Sequence, residues 1–163
     1  VADFASALLA ARGIDGVADL FGRLIGAWRV RNRSLDENTG EWSESEFTWT
    51  FARTLGGLAV QDVIVRDDGA TAGTTVRAWD ADREVWRVAW FGVLGRNFST
   101  FTATASGADG IRLDGSGEDG RALHWEFSGI SPDRFAWDGR VQTDDGWLLE
   151  QHMDAVRIGS PED

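Results

Sequence analysis

The sequence predicts a mainly β fold: a closed antiparallel up-and-down β-barrel of about ten strands, preceded by two short N-terminal α-helices. Three observations carry this expectation. From residue 25 to residue 157 apolar side chains recur at every second position, the period of a strand. The links between these runs are short and rich in Asp, Asn, Gly, Ser and Pro, which leaves no room for crossover helices, so neighbours run antiparallel. That many sequential strands in 163 residues would also leave sheet edges open unless the sheet closes on itself. A two-sheet sandwich is the alternative architecture.

Taken in order, Asp3 is placed to cap a helix carrying Phe4, Leu8 and Leu9, and Gly13 to close it. Asp15 is placed to cap a second helix, where Val17, Leu20, Phe21 and Leu24 share one face. Strands are expected at 25–34, 42–54, 58–66, 73–80, 84–93, 96–105, 109–114, 121–128, 133–142 and 146–157. The chain thus divides into helices (1–24), barrel (25–157) and a polar tail (158–163) within a single domain. Strand one alternates Trp28, Val30 and Asn32 with Arg29, Arg31 and Arg33; strand two alternates Phe47, Trp49 and Phe51 with Glu44, Glu46 and Thr48. One register sets arginines across from glutamates on the outside and turns the aromatic faces inward.

Composition narrows the chemistry. The net charge of −11 repels phosphate backbones and anionic lipid, so neither nucleic acid nor a membrane surface is an expected partner. Without cysteine there are no disulfides, zinc thiolates or thiol nucleophiles. Every basic residue other than the two histidines is arginine, which removes Schiff-base and P-loop lysine chemistry. Residues 1–12 lack a basic segment ahead of their apolar residues and a small-residue cleavage site after them, so no secretory signal is expected and the cytoplasm is the expected location. Gly115, Gly117 and Gly120 spell GxGxxG, but a strand follows where a dinucleotide site needs a helix, and the motif reads as a hairpin turn. The acidic turns at 36–40 and 80–83 do not fit the spacing of a calcium loop.

The candidate site is the interior. Nine tryptophans are too many for the surface of so small a domain. Trp28, Phe47, Trp49, Trp79, Trp86, Trp90, Trp125, Trp137 and Met153 are expected to line a cavity of ~300–1,000 Å³ for an apolar or aromatic molecule, the alternative being a core that the rings simply fill. Asn32 and Gln151 fall on the same faces and can orient a polar ligand atom without the cost of a buried charge. Arg77 shares a face with Trp86 across the hairpin at 80–83; turned inward, it would be stacked or paired and able to meet a ligand carboxylate or enolate. His124, Glu126, Glu150 and His152 alternate with apolar residues and are expected outside. Turned inward, they would instead be acid/base candidates or, brought together by neighbouring strands, metal ligands. No cofactor is required by these patterns.

The segment Gly26-Ala27-Trp28, straight after a short helix and ahead of a strand meander, resembles the start of the calycin superfamily of lipocalins and fatty-acid-binding proteins. The wider pattern resembles an uncharacterised bacterial lipocalin-like family. It rests on Leu55-Gly56-Gly57-Leu58, Arg77-Ala78-Trp79-Asp80, Trp86 with Trp90, and Met153-Asp154 with Arg157. The resemblance implies a barrel with a ligand cavity, and a Trp28 that packs across its closed end. A nitrobindin-type barrel is also similar and implies haem held by His152, although Arg29-Val30-Arg31 replaces the glycine-rich continuation of that family. The leading expectation is a monomer or homodimer that binds a small hydrophobic or aromatic metabolite. The alternatives are a cofactor-free cyclase or isomerase and a haem protein.

Overall fold

The structure, a computed structural model, describes residues 4–9 and 19–159. A short helix α1 (Phe4–Leu9) and a 3-10 turn (Gly22–Leu24) precede ten strands. These are β1 (Gly26–Leu35), β2 (Trp42–Thr54), β3 (Ala59–Arg66), β4 (Thr71–Asp80), β5 (Val85–Gly92), β6 (Asn97–Ser106), β7 (Gly110–Gly117), β8 (Ala122–Ser128), β9 (Arg134–Thr143) and β10 (Gly146–Arg157). Each strand pairs antiparallel with the next, and β10 pairs back onto β1, so the barrel is closed. The sandwich alternative is excluded. None of the described helices is long and apolar enough to cross a membrane.

The expected register of the first pair is present. Trp28 faces Trp49 and Val30 faces Phe47, while Arg31 faces Glu46 and Arg33 faces Glu44. Outside, Arg29 binds both Glu46 and Asp67 at 2.6 Å. Hydrogen bonding to Arg29 holds the Asp67 carboxyl below its ordinary range.

The expected pair of covering helices is not supported. The first survives only as the single short α1, whose Leu8 carbonyl accepts the Leu55 N–H at 3.1 Å. Asp3, Gly13, Asp15 and Val17 lie outside the described residues, as does the tail beyond Gly159. Where the second helix was expected to end, Leu20, Phe21 and Leu24 are buried in a turn instead. Three apolar residues that close a barrel end do not need a regular helix to do so.

The barrel is filled at one end and hollow at the other. Toward the end that Phe21 and Leu24 cover, inward positions carry Trp28, Phe51, Trp86, Ile111, Phe127 and Phe135, all buried. The Trp28 N–H donates to the Leu24 carbonyl at 2.7 Å, and the Arg157 guanidinium lies 4.0 Å from the centre of its ring. Gly26 has φ +122°, and a Cβ there would stand 2.5 Å from that guanidinium, so the backbone and the arginine both demand glycine.

Toward the other end, inward positions carry glycine. A Cβ on Gly73 would sit 2.3 Å from the Trp90 ring, and one on Gly139 would sit 2.7 Å from the Trp137 ring. The indoles lie flat against the wall because glycine gives them room, and the lumen beside them stays open. The strand β7 runs on to Gly117, through glycines that read as a turn.

A second departure lies in β10. The ladder with β9 shifts between Leu149 and Gln151, so Glu150 is the extra residue of a β-bulge. Beyond the bulge Gln151 and Met153 face inward as expected. Before it the faces invert: Leu148 pairs with the buried Val141, and Trp147, which the plain alternation would put on the face of Gln151 and Met153, is 51% exposed.

Candidate functional site

The hollow end encloses a cavity of about 420 Å³. Its wall is aromatic. Trp90, Trp125 and Trp137 meet edge to face, with centroids 6.5 Å and 5.2 Å apart, and Phe101 lies against Trp125 at 4.0 Å. Met153 and Leu123 complete the apolar lining. Such pairs hold one another in place and present a pre-formed apolar surface.

The floor is polar and buried. Asp62 on β3 and Arg77 on β4 are 1% and 2% exposed, and they form an ion pair at 2.6 Å. The second Asp62 oxygen accepts the backbone N–H of Thr75 at 2.9 Å. The Arg77 guanidinium lies between the rings of Phe21 and Phe51, 5.0 and 5.2 Å from their centres. Its Nε and Nη1 have no acceptor, and neither does the indole N–H of Trp49. Buried donors are normally satisfied, so these three are exceptions on residues that line the cavity.

At the mouth the turn after β7 and the bulge of β10 meet. Arg121 binds Asp119 at 2.6 Å and reaches across to Glu37 in the β1–β2 turn at 2.8 Å. Glu118 accepts the backbone N–H of Phe98 at 3.0 Å. Glu150 lines the cavity beneath them. Burial, reinforced by the nearby Glu37, pushes its carboxyl above the ordinary range.

The cavity gathers Trp49, Arg77, Trp90, Trp125, Trp137, Gln151 and Met153 from the expected set. Trp28, Phe47, Trp79 and Trp86 face inward but pack in the core away from it. Asn32 sits behind the lining and accepts from Gln151 at 2.8 Å. Arg77, whose orientation the sequence leaves open, is inside and already holds a carboxylate.

Of the titratable candidates, His124, Glu126 and His152 are outside. His124 contacts Asp114 at 3.0 Å, and His152 contacts Asp138 at 2.6 Å. Glu150, expected outside with them, is the one the bulge brings to the mouth. Among the described residues no group of three or more His, Asp or Glu side chains converges as a metal site. Haem does not fit His152: its ring contacts Asp138 on the outer face of β10, away from the cavity.

Sequence reasoning missed Asp62. The signal was there, since Val60, Asp62 and Ile64 share one face of β3, and an acid on such a face needs a buried partner.

No protein-family model matches the sequence, and no curated protein matches it. Solved structures do match in shape. Rv2717c from M. tuberculosis superposes with a TM-score of 0.59 at 15% identity, over 88% of this chain and 99% of that one. The S-type phycobiliprotein lyase CPES from Guillardia theta superposes with a TM-score of 0.60 at 15% identity, over 86% of this chain and 91% of that one. At this identity the likenesses show the fold alone, a closed calycin-like barrel.

Proposed function

We propose that this protein binds a small, largely aromatic molecule in the hollow end of its barrel. The observation that carries the reading is the glycine-backed aromatic wall around a cavity of about 420 Å³. A core needed only for stability would fill that space, because voids forfeit packing energy. The likeness to a phycobiliprotein lyase supports a barrel of the ligand- or pigment-binding kind.

The test uses N-phenyl-1-naphthylamine, a neutral aromatic probe, with tryptophan quenching and probe emission as readouts. Saturable binding of one molecule per chain is expected. Met153→Trp, which fills the lumen from β10, should lower the affinity at least tenfold while the far-ultraviolet circular dichroism is unchanged. Non-saturable quenching, or binding indifferent to a filled lumen, sinks the reading.

A cofactor-free isomerase or cyclase in the same cavity is the second reading, and Glu150 favours it. A carboxyl raised by burial at the edge of an apolar site is suited to proton transfer. Conversion of a molecule co-purified from the native host, lost in Glu150→Gln while binding persists, would establish that role.

A further inference from the structure

We infer that the cavity selects neutral aromatic molecules carrying a hydrogen-bond acceptor, a carbonyl above all, at the buried end, and that it rejects carboxylates. The inference rests on the binding reading above and names its ligand class.

The floor supplies donors without net charge. An isolated buried arginine would call for an anion. Arg77 does not, because Asp62 already neutralises it at 2.6 Å. What the pair leaves over is geometric: Arg77 Nε and Nη1 and the Trp49 indole nitrogen, all buried N–H groups without an acceptor. The two side chains pack on one ring. Trp49 lies 4.8 Å from the centre of Phe51, and the Arg77 guanidinium lies 5.2 Å from it. Both residues also line the cavity. An aldehyde, ketone, quinone or amide oxygen has two lone pairs and fits that demand.

The rest of the cavity argues against a full negative charge. Arg77 and Arg121 are its cationic groups. Around them stand Asp62, Glu37, Glu118, Asp119 and Glu150. A carboxylate ligand would pass an acidic mouth and reach a floor whose one cation is taken. Among the described residues Glu150 has no hydrogen-bond or ion-pair partner, so an amine or hydroxyl at the ligand's outer end has a ready acceptor.

Three matched fluorescent probes test this. They are 6-propionyl-2-(dimethylamino)naphthalene, its carbonyl-free parent N,N-dimethyl-2-naphthylamine, and 6-(dimethylamino)-2-naphthoate. The ketone should bind at least tenfold more tightly than the parent, and the carboxylate most weakly of the three. Trp49→Phe keeps a ring against Phe51 but removes a donor. It should erase most of the ketone's advantage over the parent. Equal binding of ketone and parent by the wild-type protein would overturn the floor as an acceptor site, and a carboxylate that matches or beats the ketone would overturn the charge argument. In both cases the aromatic cavity would still stand as a binding site. If none of the three binds, the binding reading fails, and this inference with it. The wild-type ranking is decisive even if Trp49→Phe does not fold.

Discussion

The two ends of this barrel are built from the same strands by opposite rules. At the closed end, inward positions hold Trp28, Phe51, Phe127 and Phe135, and the rings interlock; Trp28 lies 4.7 Å from Phe135, and Phe135 lies 5.5 Å from Phe127. At the open end, inward positions alternate indoles with glycines such as Gly73 and Gly139, and the rings lie flat on the wall. Aromatic content is high at both ends. The hollow therefore comes from what stands opposite each ring, a second ring or a missing side chain, and not from the number of rings.

The comparison can be broken at either end. The largest effect is expected for Trp28→Ala, which removes a fully buried indole from a filled region. A loss of about 3–5 kcal/mol of stability is expected in urea titrations. Probe affinity of the molecules that remain folded should change little, because Trp28 is not part of the cavity wall. A large loss of affinity would show that the two ends are not separable.

Gly139→Ala should have a smaller effect on stability and a larger one on binding. Its Cβ would drive the Trp137 ring off the wall and into the lumen. A cost of about 1–3 kcal/mol is expected, together with a clear fall in affinity for N-phenyl-1-naphthylamine. Unchanged affinity would mean that glycine is not what holds the lumen open.

Glu150→Gln should have the smallest effect, and its sign is opposite. Burial raises the Glu150 carboxyl in the folded protein, so the folded state binds its proton more readily than the unfolded state does. The charged form then costs stability above the carboxylate range, and the cost fades as pH falls through the folded value toward the unfolded one near ~4.3. Glu150→Gln is expected to melt slightly higher than wild type at pH 7, with the gap closing in acid. A variant that melts lower at pH 7 would contradict a strained carboxyl at the mouth.

Much of the frame was legible in the sequence because alternation and turn chemistry are local. The predicted strand bounds fall within a few residues of the observed ones, and the Arg31–Glu46 and Trp28–Trp49 pairings follow from matching faces. What was illegible depends on more than the period. A bulge adds one residue without any signature in composition, so Trp147 and Glu150 landed on faces the alternation does not give them. Gly115 and Gly117 suggested a turn because their common use is conformational, whereas here both lie within β7, and a Cβ on Gly115 would stand 1.9 Å from the Thr100 carbonyl. Arg77 could be set on a face with Trp86 but not turned inward or outward, and its Asp62 partner changes what it offers a ligand. That charge balance belongs to two strands read together.

The seam between β1 and β10 has a consequence of its own. Trp28 lies beside Arg157, so the last stitch of the cylinder joins residues far apart along the chain. Contacts of such long range make folding slow, because the ends must meet before the ordering is rewarded. Until the final strand leaves the ribosome, β1 has an unpaired flank and the nascent sheet shows its rings to the surroundings. A protein built this way depends on protection during synthesis more than its finished, edgeless form would suggest.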